Sequence, residues 1–221
     1  MKVPQPEGTR GSLKWIQRLV GSHQQVLDDA IRGVGVLQPG EQIRWVSPRA
    51  EDGWAEYRDG DFMDQIGHPE LRSALGAFWP PLGPQWDALG SGTAGTVVLV
   101  EAKAHERELV SICQASPESV ELITRSLAET KAAVGARGDA DWLTGYYQYA
   151  NRIAHLQFLR KHGVPAVLVF VYFTNDLDMG GPNSREGWQG GLRAAHEHLG
   201  LTADENSMGV VSVYIDTGLL G

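Results

Sequence analysis

Three ionisable residues in the middle of the chain have the types and spacing to do chemistry. Glu101 and Lys103 stand two apart, directly after the apolar run Thr96-Val-Val-Leu-Val100, and Asp87 lies fourteen residues before Glu101. Alternate side chains of a strand point the same way, so Glu101 and Lys103 share one face where an apolar strand gives way to polar space. Lone charges at the end of a buried strand are costly, so they must be paired or used. If the segment carrying Asp87 pairs with the Glu101 strand through a turn at Gly90 to Gly95, the two carboxylates approach and repel unless a proton or a cation intervenes. A hard cation such as Mg²⁺, with Mn²⁺ as a substitute, answers this need. It takes one or two protein carboxylates and keeps waters and phosphate oxygens as its other ligands. Such an ion activates water and offsets charge on phosphorus oxygens, while a nearby lysine orients or deprotonates that water. The expectation is metal-assisted phosphodiester hydrolysis, with Asp87 and Glu101 as ligands and Lys103 at the water. The alternative is a structural ion pair at a strand end.

Spacing alone is weak, since Glu129-Thr130-Lys131 repeats it inside an expected helix. Context separates the two. The periodicity predicts a helix over 13–32, a short strand over Ile43 to Val46, and an acidic, irregular stretch over 47–67. His68 to Trp79 reads as an amphipathic helix stopped by Pro80-Pro81. Pro84 to Gly90 reads as a short strand and Ser91 to Gly95 as a turn. Thr96 to Lys103 is a strand buried on both faces. Helices follow over Pro117 to Val134 and Trp142 to His162, then a second buried strand from Val164 to Phe173 and a polar loop over 174–187. A helix over 188–199 and a strand from Val210 to Ile215 close the chain. Alternating helices and buried strands indicate α/β. The two apolar strands, needing cover on both faces, belong side by side at the centre of one sheet. With no repeat or linker in view, the chain reads as a single domain over 1–221, a helical N-terminal extension over about 1–45 preceding a core over about 64–216.

Pro84-Gln-Trp-Asp87 followed by Thr96-Val-Val-Leu-Val-Glu101-Ala-Lys103 resembles the PD-(D/E)XK signature of the restriction-endonuclease-like superfamily. The resemblance spans roughly residues 68–173, and differs in that Trp86, not proline, precedes the aspartate. It implies a central mixed β-sheet flanked by helices and Mg²⁺-dependent cleavage of nucleic acid, DNA ahead of RNA. It also implies that Asp87 and Glu101 ligate metal and that Lys103 serves the catalytic water. A glutamate on the first core helix often joins the metals in that group, which makes Glu70 a candidate ligand. Equally, Glu70 is a first-turn acid that complements a helix dipole. The helix after Glu-x-Lys often sends polar groups to the active site, and Gln148, Arg152 and His155 share one face there. Gln148 is the candidate taken from that set. His105 either meets phosphate or is a solvated loop residue. A non-catalytic binding module on the same fold is the rival to the nuclease reading.

Several patterns are set aside. Gly90-Ser-Gly-Thr-Ala-Gly95 matches G-x-G-x-x-G but leads into a strand, whereas a dinucleotide site requires a helix. His196 and His198, two apart on a helix, point away from each other. Cys113 lacks a catalytic context and reads as packing. No G-x-S-x-G or G-x-x-x-x-G-K occurs, which disfavours serine hydrolases and P-loop NTPases.

Composition sets the outer bounds. At 42% hydrophobic and 21% charged, the 221 residues suffice for one sizeable core. A single cysteine excludes an internal disulfide or a multi-cysteine zinc site. No apolar run reaches the roughly 18 residues of a membrane span, and the polar first twelve residues do not read as a signal peptide. A cytoplasmic protein without a membrane partner is expected. The net charge of −8 argues against tight, non-specific coating of DNA, because phosphate affinity is largely electrostatic. A local basic groove, offset by metal charge, remains compatible with it. Cutting both strands of a duplex would suit a homodimer.

Overall fold

Residues 1–221 are all described by the computed structural model. The elements in chain order are β1 (Lys2–Val3), α1 (Gly11–Ser22), α2 (Gln24–Gly33), β2 (Ile43–Ser47) and β3 (Glu56–Tyr57). Then come α3 (Asp59–Gln65), α4 (Arg72–Phe78), β4 (Ala88–Gly92), β5 (Val97–Lys103) and α5 (Pro117–Val134). The chain ends with α6 (Tyr147–Lys161), β6 (Ala166–Thr174), α7 (Arg185–Leu199), α8 (Glu205–Met208) and β7 (Val210–Asp216). The fold is α/β: a five-stranded mixed sheet of order β2-β4-β5-β6-β7 flanked by helices, with β1 and β3 paired separately.

The apolar runs fix the centre of this sheet, as expected. β5 is antiparallel to β4 and parallel to β6, with Val97 opposite Ala166 and Lys103 opposite Tyr172. Every residue of β5 and of β6 is buried, so each needs apolar cover on both faces. The period of two divides β5 between two cores. Val98, Val100 and Ala102 pack with Trp15, Ile16, Leu19, Leu27 and Ile31 of α1 and α2. Val97 and Leu99 face the larger cluster that includes residues of α5, α6 and α7. Glu101 and Lys103 continue the Val97–Leu99 parity and so point towards the α5–α6 layer.

The helices expected as an N-terminal extension supply one of the two layers over the sheet, and β2 forms its edge strand. The periodic stretch 13–32 is two helices. His23 leaves helical geometry at φ −127°, and its N–H closes the end of α1 onto Arg18 O and Leu19 O. The helix expected from Trp142 starts at Tyr147 instead. The Asp141 carboxylate accepts from the Leu143 and Thr144 N–H groups and the Thr144 hydroxyl, which favours a turn over a helix. Gly145, at φ +71°, then breaks the helical path. The helix expected over His68 to Trp79 opens as a 3₁₀ turn, Pro69–Leu71, before α4. The supposedly irregular stretch 47–67 holds β3 and α3.

The β4–β5 hairpin is clamped at its turn by a buried acid. Glu41 Oε1 accepts from Ala94 N and Thr96 N, both at 3.2 Å, and Oε2 accepts from Thr96 Oγ1 at 3.1 Å and Gln38 N at 3.0 Å. Burial works to raise this carboxyl, but the hydrogen bonds together outweigh it and hold the group below its usual range. Gly92 is required here, because a Cβ would collide with Glu41 Oε1.

Because α1 is a structural layer, Leu19→Ala, at a fully buried position, should cost about 2–5 kcal/mol. Chemical denaturation should show one cooperative transition at a lower midpoint. An unchanged main transition with a separate early phase would instead mark α1 as a detachable appendage.

Candidate active site

The hairpin register brings the two proposed ligands together. Ala88 faces Val100 and Leu89 faces Leu99, so one further step sets Asp87 opposite Glu101. Directly opposed residues of an antiparallel pair have Cβ atoms about 4.5–5.5 Å apart. Asp87 Oδ2 accepts a hydrogen bond from Ala102 N at 2.7 Å, which ties the segment before β4 to the end of β5. Asp87, Glu101, Lys103 and Gln148 all line one open cavity of about 1120 Å³.

Glu101 is held from two sides. Lys103 Nζ donates to Oε1 at 2.5 Å and Arg152 Nε to Oε2 at 2.6 Å. Lys103 Nζ also donates to Gln148 Oε1 at 3.0 Å. Arg152 is fixed by further bonds to Gln85 O and Asn151 Oδ1, both 2.8 Å, and by the Trp86 ring 5.0 Å away. These partners come from α6, where Gln148 and Arg152 are four apart and share a face.

Electrostatics separates the acids. Burial works to raise the Glu101 carboxyl, but Arg152 and Lys103 together outweigh it, and the group is held below its usual range. Burial pushes the Asp87 carboxyl well above its usual range, and the Glu101 and Glu56 charges push the same way. Lys103 opposes this only in part. Glu56 of β3 is a third acid in the cavity, raised chiefly by burial, and its Oε2 accepts from Gln85 Nε2 at 2.7 Å and Gln5 Nε2 at 3.2 Å. Three carboxylates thus meet two cations, and the shortfall of positive charge is felt at Asp87.

Glu70 is not part of this constellation. It is exposed, pairs with His68 at 2.9 Å, and does not line the cavity. The 3₁₀ opening of its segment leaves it on the surface, and Glu56 is the acid that reaches the cavity instead. Nothing in the sequence around Glu56 marks it, because only its pairing with β1 and its contact to Gln85 bring it there. Arg152 was visible as a face-mate of Gln148, but its pairing with Glu101 depends on where α6 packs. His105 pairs with Glu108 at 3.2 Å and does not itself line the cavity. His155 is buried among Phe78, Trp79 and Trp86. Burial and Arg152 lower it to about 3, so it is neutral at working pH and offers phosphate no charge. The glycine-rich stretch joins two strands rather than opening a helix, as expected, but the strand is Ala88–Gly92 instead of Pro84 to Gly90, so the turn is confined to 93–95. His196 bonds Tyr149 and Glu205 while His198 turns to Thr144 O. Cys113 packs half-buried against the larger core. No helix is long and apolar enough to cross a membrane. The cavity lining carries Lys103 and Arg152 against Glu56, Asp87, Glu101 and Glu108, so it is no basic groove.

The donor set bears directly on Mg²⁺. No group of three or more His, Cys, Asp or Glu side chains is arranged to hold a metal ion, and a site completed by Glu70 does not fit. A site of the two-carboxylate kind does fit. Asp87 keeps one oxygen without a hydrogen bond, and each Glu101 oxygen retains a lone pair beyond its one cation. Mg²⁺ commonly uses one or two carboxylates and completes its shell with water and phosphate. The chain matches no family model, no curated protein and no solved structure.

A raised carboxyl favours the folded state below the unfolded value of 3.8, and that contribution is lost as pH rises through the folded value. In EDTA, Asp87→Asn should therefore raise the Tm at pH 7, and the gain over the parent should shrink towards pH 4. Each kcal/mol relieved corresponds to about 2–4 °C in a chain of this size. A Tm difference that stays constant across this range would show that Asp87 carries no such charge stress.

Proposed function

We propose that the chain is a Mg²⁺-dependent nuclease with a restriction-endonuclease-like core, hydrolysing phosphodiester bonds of nucleic acid, DNA ahead of RNA. The observation that carries this reading is the uncompensated Asp87 carboxylate set across from Glu101, with the Lys103 ammonium lining the same cavity. Asp87 and Glu101 would hold the ion. When bound, it supplies water activation and charge to offset the phosphorus oxygens. Arg152 and Lys103 each fix one oxygen of the Glu101 carboxylate, so the group is held in place before any ion arrives. Gln148 accepts one of the three Lys103 N–H donors and Glu101 a second, which leaves the third for the attacking water or a phosphate oxygen. Lys103 steers that water and stabilises the charge that develops as the phosphate is attacked. A homodimer would serve if both strands of a duplex are cut.

A second reading, a binding module with a structural ion cluster, draws on the closed Lys103–Glu101–Arg152 arrangement, in which each Glu101 oxygen already has a cation. The two separate on metal dependence. The nuclease should cleave DNA or RNA in Mg²⁺ or Mn²⁺ and stop in EDTA, and its Tm should rise with added Mg²⁺ by mass action.

Asp87→Asn should abolish cleavage and the Mg²⁺-dependent rise in Tm together. Lys103→Ala should keep that rise yet lose about 10²–10⁴ in rate, the usual scale for an acid–base group. Removing Glu101 is the less clean experiment, since it strands two buried cations and destabilises the fold. Parent protein that neither cleaves single- or double-stranded DNA or RNA nor gains Tm from Mg²⁺ would sink the nuclease reading in favour of the module.

A further inference from the structure

The walls of the cavity differ from its floor. Seven large apolar side chains in the whole chain are well exposed, and three of them line this one cavity: Leu82 (63% exposed), Val110 (61%) and Ile112 (56%). Such clustering around a recessed polar site marks a binding surface, where scattered exposed residues would need no explanation.

Both walls are built stiffly. Leu82 has a left-handed backbone at φ +68°, as does Asp59 at φ +54°. The Asp59 carboxylate clamps that turn, accepting from Leu82 N at 3.2 Å and Gly83 N at 2.9 Å. A leucine held in this conformation costs energy that a glycine would not. Strain kept at an exposed position points to use of the side chain. Along the same cavity, residues 110–115 alternate exposed and half-buried, as a strand does. The backbone of this strap is tied down by Ser111 N to Gly145 O, Cys113 N to Leu143 O and Tyr147 N to Ser111 O. Cys113 and Ala115 pack inward against the core, so Val110 and Ile112 are presented outward.

We propose that this cavity takes single-stranded nucleic acid, an unstacked base beside the scissile phosphate packing between Leu82 and the Val110–Ile112 strap. The inference rests on the nuclease reading and narrows its substrate. Glu101 is only 2% exposed, so a phosphodiester must descend below the rim to reach it, which a flexible single strand can do. A duplex hides its base faces in the stack and would present charged backbone to three aliphatic side chains. Four acids against two cations in the lining give the backbone little net attraction, so apolar contact with bases must supply affinity. Every base has a face suited to such contact, which predicts weak sequence preference.

The test measures steady-state cleavage in Mn²⁺ of oligo(dT), oligo(U) and a mixed-sequence DNA duplex by the parent, Leu82→Gly and Ile112→Ser. The parent should show higher kcat/KM on a single strand than on the duplex, and the better of the two oligonucleotides identifies the sugar. Leu82→Gly should keep or raise the Tm, because glycine suits the left-handed backbone. It should raise KM on the single strand about ten-fold, the scale of losing one aliphatic contact, with a smaller fall in kcat. Ile112→Ser should act the same way from the other wall. Duplex preferred by the parent, or KM unmoved in both variants, overturns the single-strand proposal and leaves the nuclease reading standing. No cleavage of any substrate by the parent overturns both.

Discussion

The Glu101 carboxylate, held by Lys103 on one side and Arg152 on the other, is the interaction on which the arrangement of the site depends. It joins the end of β5 to the face of α6 where the apolar side chains of β5 give way to charge. Burying three charges is expensive, and such clusters are weak evidence of net stabilisation, since well-packed apolar replacements often do as well. What the cluster supplies is position. Arg152 is tied to Gln85 O and stacked against Trp86, so the segment leading into Asp87 is fixed by the same guanidinium that fixes Glu101. One arginine therefore sets the distance between the strand, the helix and the segment carrying the second acid.

The composition of β5 explains why this can occur at a strand end. Four residues of unbroken apolar character, Val97 to Val100, commit the strand to burial on both faces, and the parity of two then assigns Glu101 and Lys103 to the helix side. The opposite face continues through Ala102 to Ala104, both small and buried, so α1 can close over the back of the site. The sheet thus insulates one face and opens the other. The acids end up unlike each other: Arg152 and Lys103 hold Glu101 in its ionised form, while burial and the charges of Glu101 and Glu56 hold Asp87 back from ionising.

Those parts of the fold governed by local pattern were legible in the chain. The apolar runs of β5 and β6 gave their burial and adjacency, and the hairpin around Gly90 to Gly95 placed Asp87 on the side of Glu101. Helical spacing put Gln148, Arg152 and His155 on one face, of which Gln148 and Arg152 line the cavity and His155 does not; the choice of Gln148 came from the resemblance. What could not be read depended on distant packing. Glu56 lies in an acidic stretch without periodicity, and it enters the cavity through β1 and Gln85, elements with no local link to it. Glu70 failed for the converse reason: its segment looked helical, but a 3₁₀ turn rotated it towards His68. The late start of α6 followed from Asp141 and Gly145, local signals outweighed by the apolar content around Trp142.

Glu41 has a consequence that reaches beyond its own turn. In a two-residue repeat, a slip of one position between β4 and β5 would carry Asp87 to the opposite face, among the valines under α1. The clamp on Ala94 and Thr96 removes that freedom at the far end of the hairpin. Assembly of the site is then a matter of counting residues from a fixed zero, and the zero is a carboxylate that lies outside the cavity lining. Insertions in the turn or loss of Glu41 would act as frame errors in three dimensions. The sheet could still form, but with its acids addressed to the wrong side.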